Sequence, residues 1–299
     1  MIEKRLVQWY AADAGVDLDI AEREIALTYI LRVMADSDLL DHLAFKGGTA
    51  IRKLHLGSQG RFSLDLDFTA TEGIDPETLI IDFVSIFHES SHFGLTFSIQ
   101  SSDYYATADS CGAEVTYQHE WVMDGRFGLQ ISFRAQPILP VHTASLLQER
   151  YFDWLGVEPP KIPALDLHEI IGEKIRAAAQ RSRVRDLYDL FRFANKQFNR
   201  DIVRTITVLK CWETKFAFDP VDFLNSLPSG RYDWADLRRL VRKGWEMKAE
   251  TIIHRVQDGY HFLVNMTEAE AILASDQYQH QQIVYRELVD HLHKSPHDG

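Results

Sequence analysis

Residues 45–68 read FKGGTAIRKLHLGSQGRFSLDLDF, and the fold class turns on how this stretch is patterned. Over 63–68, Leu64, Leu66 and Phe68 alternate with Asp65 and Asp67, the period of a half-buried strand on which the two aspartates share one face. Neighbouring carboxylates repel, and one stays protonated unless a cation sits between them. Hard Mg²⁺ suits such a pair, since it takes one or two carboxylates and completes its shell with substrate phosphates. Upstream, Gly47-Gly48-Thr49 opens what reads as a helix. Glycines let the backbone approach an anion, and N–H groups at a helix start favour negative charge. Thr49 and Ser63 each add a hydroxyl. A phosphate cradle followed by paired carboxylates is the layout expected for metal-assisted nucleotidyl transfer. The G-x-x-x-x-G-K-[ST] spacing of a Walker A loop is absent.

Working outward, residues 1–42 read as helices with Ile25, Leu27, Ile30, Leu31, Val33 and Met34 on a broad apolar face, and 43–45 as a first strand. Beyond the acidic strand, a helix is expected over 76–91 and strands over 95–99, 113–117 and 127–133. This order describes a small mixed α/β (α+β) domain. Pro159, Pro160 and Pro163 mark a linker near 155–163, dividing the chain into domains 1–155 and 156–299. The second is almost all helix, with runs at 202–212, 234–241 and 283–292. Asp166 and Glu169 read as a capping box, and the tail from Lys294 as disordered.

The chain has 299 residues, 45% hydrophobic and 25% charged, enough for a substantial core. No run of about 18 apolar residues suggests a membrane span, and the first residues lack the apolar core of a signal peptide. Cys111 and Cys211 alone make no disulfide framework or zinc ribbon, so a cytoplasmic location is expected. A net charge of −12 argues against indiscriminate nucleic-acid binding, though not against a local basic patch.

Two basic windows occur. Residues 173–196 carry seven basic and three acidic side chains. Lys174, Ala178, Arg181 and Arg185 share a face if the helix is continuous, a stripe able to hold a triphosphate or, through Arg181, Arg183 and Arg185, an RNA backbone; the competing reading is a solvated face with ion pairs such as Arg185 with Asp189. Residues 231–255 place Arg238, Arg239, Arg242 and Lys243 among Trp234 and Trp245, which reads either as a nucleic-acid surface or as core tryptophans beneath surface charge. His88-Glu89-Ser90-Ser91-His92 matches H-E-x-x-H, but it lies at a helix end with Phe93-Gly94 following and lacks a third ligand, against a zinc site.

Lys46-Gly47-Gly48-Thr49-Ala50 followed by Arg61-Phe62-Ser63-x-Asp65-Leu66-Asp67-Phe68 resembles the AbiEii/AbiGii toxin family, within the DNA polymerase β-like nucleotidyltransferases. Glu173-Lys174-Ile175-Arg176-Ala177 and Arg185-Asp186-Leu187-Tyr188-Asp189 resemble the family's second block. The resemblance implies a polymerase β-like lobe with a small mixed sheet, plus a C-terminal helical lobe completing the active-site cleft. It implies catalytic Asp65, Asp67, Lys174 and Asp186, with Mg²⁺ on Asp65 and Asp67. Gly47, Gly48, Thr49, Ser63 and Lys174 would bind the phosphates of an NTP. It further implies transfer of NMP to the 3′ acceptor end of tRNA, so stopping translation, and a cognate antitoxin. Rival acceptors are a protein or small molecule, and a further rival is a non-catalytic nucleotide-binding regulator. Related enzymes usually carry a third carboxylate on a later strand; here that strand offers Gln130 and Ser132, leaving the role unfilled or passing it to Asp186 or Glu114.

Overall fold

The computed structural model describes residues 2–245 and 247–294. The chain falls into two compact units: 1–137 with 141–165 and 238–244, and 138–140 with 166–237 and 245–299. Leu165 and Asp166 fall in different units, and the chain also passes between units at Pro137/Ile138, Pro140/Val141, Leu237/Arg238 and Gly244/Trp245.

In the first unit, helices α1 (Lys4–Ala14) and α2 (Leu18–Ala35) precede strand β1 (Leu43–Lys46). α2 is buried around most of its circumference, the pattern of a central rather than a surface helix. Its two buried acids are both engaged. Glu22 accepts from the Tyr117 hydroxyl at 2.9 Å and meets His119 Nε2 at 2.9 Å; Glu24 receives Lys53 and Arg52 at 3.0 and 3.2 Å. β1 runs into α3 (Gly47–Ala50), which widens into a π-helix over Ile51–Leu56. The expected α-helix through residue 54 is thus present but wider, a form that recurs at functional sites.

The acidic strand β2 (Leu66–Ala70) starts one residue after Asp65. α4 (Pro76–Phe87) begins where Asp75 accepts the N–H groups of Glu77 and Thr78, with Pro76 at the first helical position. It ends four residues earlier than expected, because the chain turns at His88 and Glu89 takes φ 52°. Strands β3 (Ser91–His92), β4 (Leu95–Ser98), β5 (Tyr104–Ala106), β6 (Ser110–His119) and β7 (Val122–Ser132) follow, then β8 (His142–Ser145), α5 (Phe152–Leu155) and β9 (Lys161–Ala164). They form one mixed sheet of order β3-β4-β6-β7-β2-β1-β9-β8, with β5 also on β6. The proline-rich stretch expected as linker is therefore partly strand. β9 pairs antiparallel with β8 over Lys161–Ala164 but meets β1 only at Phe45↔Ala164, a short pairing that tolerates the missing N–H of Pro163.

The second unit packs α6 (Leu167–Gln180), α7 (Val184–Phe193), α8 (Arg200–Glu213), α9 (Pro220–Ser226), α10 (Trp234–Leu240, whose last turn joins the first unit), α11 (Ala249–Gly259), α12 (Glu268–Ser275) and α13 (Gln282–Lys294). Asp166 caps α6 through the N–H of His168, but the expected capping box with Glu169 does not form. Glu169 is fully buried and instead accepts the N–H groups of Ile138 and Leu139 and the Lys210 ammonium. Lys294, read as the start of a disordered tail, is helical; residues 295–299 lie outside the described residues.

Candidate active site

The antiparallel pairing of β1 with β2 sets Lys46 opposite Asp67, and the parallel pairing of β2 with β7 sets Asp67 beside Gln130. Immediately after Lys46 the chain leaves the sheet at Gly47, φ 76°, a left-handed conformation that glycine adopts without cost. A Cβ at Gly47 would lie 2.3 Å from Asp67 Oδ2, so this carboxylate rests directly on the glycine backbone. At Gly48 a Cβ would lie 2.4 Å from Arg61 Nη2 and 3.0 Å from Ser63 Oγ. Gly47, Gly48, Ser63 and Asp67 are thus brought together, with Arg61 beside them. Arg61 is buried with Ser63; it stands in the motif that carries the family resemblance, but the sequence alone assigns it no role.

Asp65 stands just outside the strand, a departure from the reading of 63–68 as one continuous strand. Its carbonyl accepts from the Thr49 hydroxyl and its Oδ1 accepts the Gly128 N–H at 3.2 Å, so these contacts replace ladder pairing. Leu66 and Phe68 are buried, whereas Asp65 is exposed and Asp67 half-buried, as alternation requires. The Thr49 hydroxyl, expected to serve a phosphate, is buried with its hydrogen committed to Asp65.

The strand expected to bear a third acid is β7, and its residue in register with Asp67 is Gln130. Glu114, the alternative, is opposite Gly128 on β6 and is bound by Arg126 at 3.0 Å. Among the described residues no cluster of three or more Asp, Glu, His or Cys side chains has metal-site geometry. Asp65 and Asp67 are the two carboxylates of the stretch, and Mg²⁺ needs only one or two, completing its shell with water and substrate phosphate.

Behind the cradle lies a buried ionic cluster that the sequence did not disclose. Arg52 donates to the carbonyls of Gly57 and Gly60 at 3.1 and 2.9 Å and to the Tyr10 hydroxyl at 3.1 Å. Its guanidinium stacks 3.7 Å over the Phe62 ring. Lys53 binds Glu24, Thr28 and Tyr151. Burial would by itself raise the Glu24 carboxyl, but Lys53 and Arg52 outweigh it and hold the group below its ordinary value. The cluster clamps the loop between the cradle helix and the acidic strand.

In the second unit, α6 ends at Gln180, Arg181 is extended (φ −153°), and α7 begins at Val184. The basic stripe expected on one continuous helix is therefore broken. The bend returns Asp186 and Asp189 to Lys174, whose ammonium lies 2.9 and 3.0 Å from them. Arg181 binds the other Asp186 oxygen at 2.9 Å. Arg185 forms a fork with Asp236 at 2.7 and 2.6 Å; Arg183 is exposed. Burial would raise the Asp186 carboxyl, but the Lys174 charge and the Arg181 contact hold it down at about 2. The H-E-x-x-H histidines do not share a helix face: His88 caps α4 and His92 lies on β3.

A mixed sheet with a glycine turn leaving one strand and an acidic strand beside it is the architecture of a nucleotidyltransferase. MenT4, a nucleotidyltransferase toxin from Mycobacterium tuberculosis H37Rv, matches at TM-score 0.82 and 23% identity over 98% of this chain and 99% of that one. JHP933 from Helicobacter pylori matches at TM-score 0.49 and 19% identity, over 93% and 97% of the two chains. No curated protein matches the chain. The family model of the nucleotidyl transferase AbiEii toxin of type IV toxin–antitoxin systems matches residues 29–285, and the chain belongs to that family. It is accordingly a toxin nucleotidyltransferase, with an NTP substrate and a cognate antitoxin; such enzymes generally use a divalent metal. Among the described residues no helix is long and apolar enough to cross a membrane.

Proposed function

We propose that the chain transfers a nucleoside monophosphate from an NTP to the 3′ acceptor end of tRNA in the cytoplasm, and thereby blocks translation. The observation that carries the reading is the placement of the Asp67 carboxylate on Gly47, with Ser63 and Arg61 on Gly48. The acidic strand and the phosphate cradle are in contact although the chain separates them by a helix and a loop. In this reading Asp65 and Asp67 hold Mg²⁺, which would screen the phosphate charge when bound. The N–H groups of Gly47, Gly48 and Thr49 and the Ser63 hydroxyl bind phosphate oxygens, with Arg61 as an added cation. The acceptor hydroxyl oxygen bonds to the α-phosphorus, the bond to the β-phosphate oxygen breaks, pyrophosphate leaves, and the hydroxyl proton passes to an aspartate. Lys174 is the lysine that neutralises charge growing on the phosphates; Asp186 and Asp189 hold its ammonium in place.

Incubation with labelled NTPs, Mg²⁺ and either total tRNA or protein extract tests the acceptor. Label is expected at the tRNA 3′ end, and to be lost in Asp65→Ala and Lys174→Ala together with growth inhibition on expression in bacteria. Label in the protein fraction alone would redirect the reading to a protein acceptor. Equal growth inhibition by wild type and both variants would refute the catalytic assignment in favour of a nucleotide-binding regulator.

A further inference from the structure

Residues 238–244 come from late in the sequence yet belong to the first unit. Leu240 is 1% exposed within that unit's core, and its carbonyl accepts the N–H of Phe62 at 2.7 Å. Phe62 lies between Arg61 and Ser63, the two side chains that rest on Gly48. Three residues on, the Lys243 N–H donates to the Gly15 carbonyl at 2.6 Å, and the Arg242 stem packs on Gly15. This strap is thus fixed by its backbone at two points, one of them a single residue from the phosphate cradle.

Around these anchors the strap exposes Arg238, Arg239, Arg242 and Lys243. Such a concentration stands out on a chain of net charge −12. Two of the four meet exposed acids on α2 or at its start: Arg239 lies 3.6 Å from Asp19 and Lys243 2.6 Å from Asp17. All four of these paired side chains are more than half exposed. Exposed pairs contribute little and are readily exchanged for another anion. Two of the three arginines expected to meet RNA are placed differently. Arg181 is engaged by buried Asp186 and Arg185 by a bidentate fork to Asp236.

Resting on the reading of an RNA acceptor given above, we infer that the strap is the phosphate-backbone grip for that RNA: Arg238, Arg239, Arg242 and Lys243 bind its phosphates while its 3′ end enters beside Ser63. A polyanion is the matching occupant, because it supplies closely spaced charges to four clustered cations and releases its own counterions on binding. Contacts of this kind fix orientation without reading sequence.

The test uses the full-length chain and purified total tRNA, with binding measured between 50 and 200 mM salt. In the variant R238A/R239A/R242A/K243A, the slope of log affinity against log salt is expected to fall by about 3, at roughly 0.7–0.9 per lost phosphate contact. Affinity at the low-salt end should drop at least tenfold by the same relation. The affinity for Mg²⁺–NTP should not change. The variant R238A/R242A leaves both α2 ion pairs intact and should lower the slope by about half as much; it remains informative if the quadruple variant folds poorly. A wild type that binds tRNA with a slope untouched by either variant overturns the strap and leaves the acceptor reading standing. A wild type that neither binds nor labels tRNA overturns both. Variants that keep tRNA but lose the antitoxin protein would reassign the strap to a protein partner and overturn the inference.

Discussion

Gly47→Ala is the substitution that most directly interrogates the site. At φ 76° an alanine is held in the left-handed region, at a cost of about 1–2 kcal/mol. Its methyl would also stand 2.3 Å from Asp67 Oδ2 and 2.8 Å from Asp67 Cβ. Restoring van der Waals contact requires on the order of 1 Å of movement. β2 is paired on both sides, to β1 and to β7, so the side chain rather than the strand yields. Displacing by that amount a carboxylate proposed to hold the metal costs about 10²-fold in rate. Urea unfolding should therefore report a loss larger than the backbone cost of about 1–2 kcal/mol, while nucleotidyl transfer at saturating NTP falls about a hundredfold in protein that is still fully folded. The collision is separable from the backbone strain by a double-mutant cycle. In an Asp67→Gly background the methyl meets neither the carboxylate nor the Cβ at 2.8 Å, so the stability cost should shrink toward the backbone term alone. Wild-type turnover in Gly47→Ala, or a cost unchanged when Asp67 is removed, would refute the contact on which the reading rests.

Two further outcomes follow from the buried charges. Because the Asp186 carboxyl is held down at about 2 from its ordinary 3.8, it adds about 2 kcal/mol of stability above pH 4, lost as pH falls through about 2. Asp186→Asn should therefore cost about 3–5 kcal/mol in urea at pH 7, with the difference from wild type narrowing by about 2 kcal/mol between pH 4 and 2; a gap unchanged across that window would contradict the Lys174–Asp186–Arg181 arrangement. Glu24→Gln strands Arg52 and Lys53 in the core without their anion, so the midpoint of thermal unfolding should fall by on the order of 10 °C, from a loss of about 3–5 kcal/mol. A melt within a degree or two of wild type would mean that water or another acid already compensates those cations.

The local chemistry of this protein was legible in its sequence. Alternation of Leu66 and Phe68 with Asp67 fixes which face of β2 is core, because successive side chains on a strand must point oppositely. Gly47-Gly48 announced a turn, since few other residues accept its backbone, and the spacing of the two blocks carried the family resemblance. What the sequence could not supply were partners distant along the chain. Arg61 on Gly48, Gln130 beside Asp67, and the Phe62–Leu240 hydrogen bond depend on strand register and on a segment that returns from residue 238. Nor could periodicity reveal that the helix after Lys174 breaks at Arg181, because the break is stabilised by ion pairs to Asp186 and Asp189 that form only once the chain has turned. Periodicity reports which side of an element is buried; which charge sits on which is decided by packing in three dimensions.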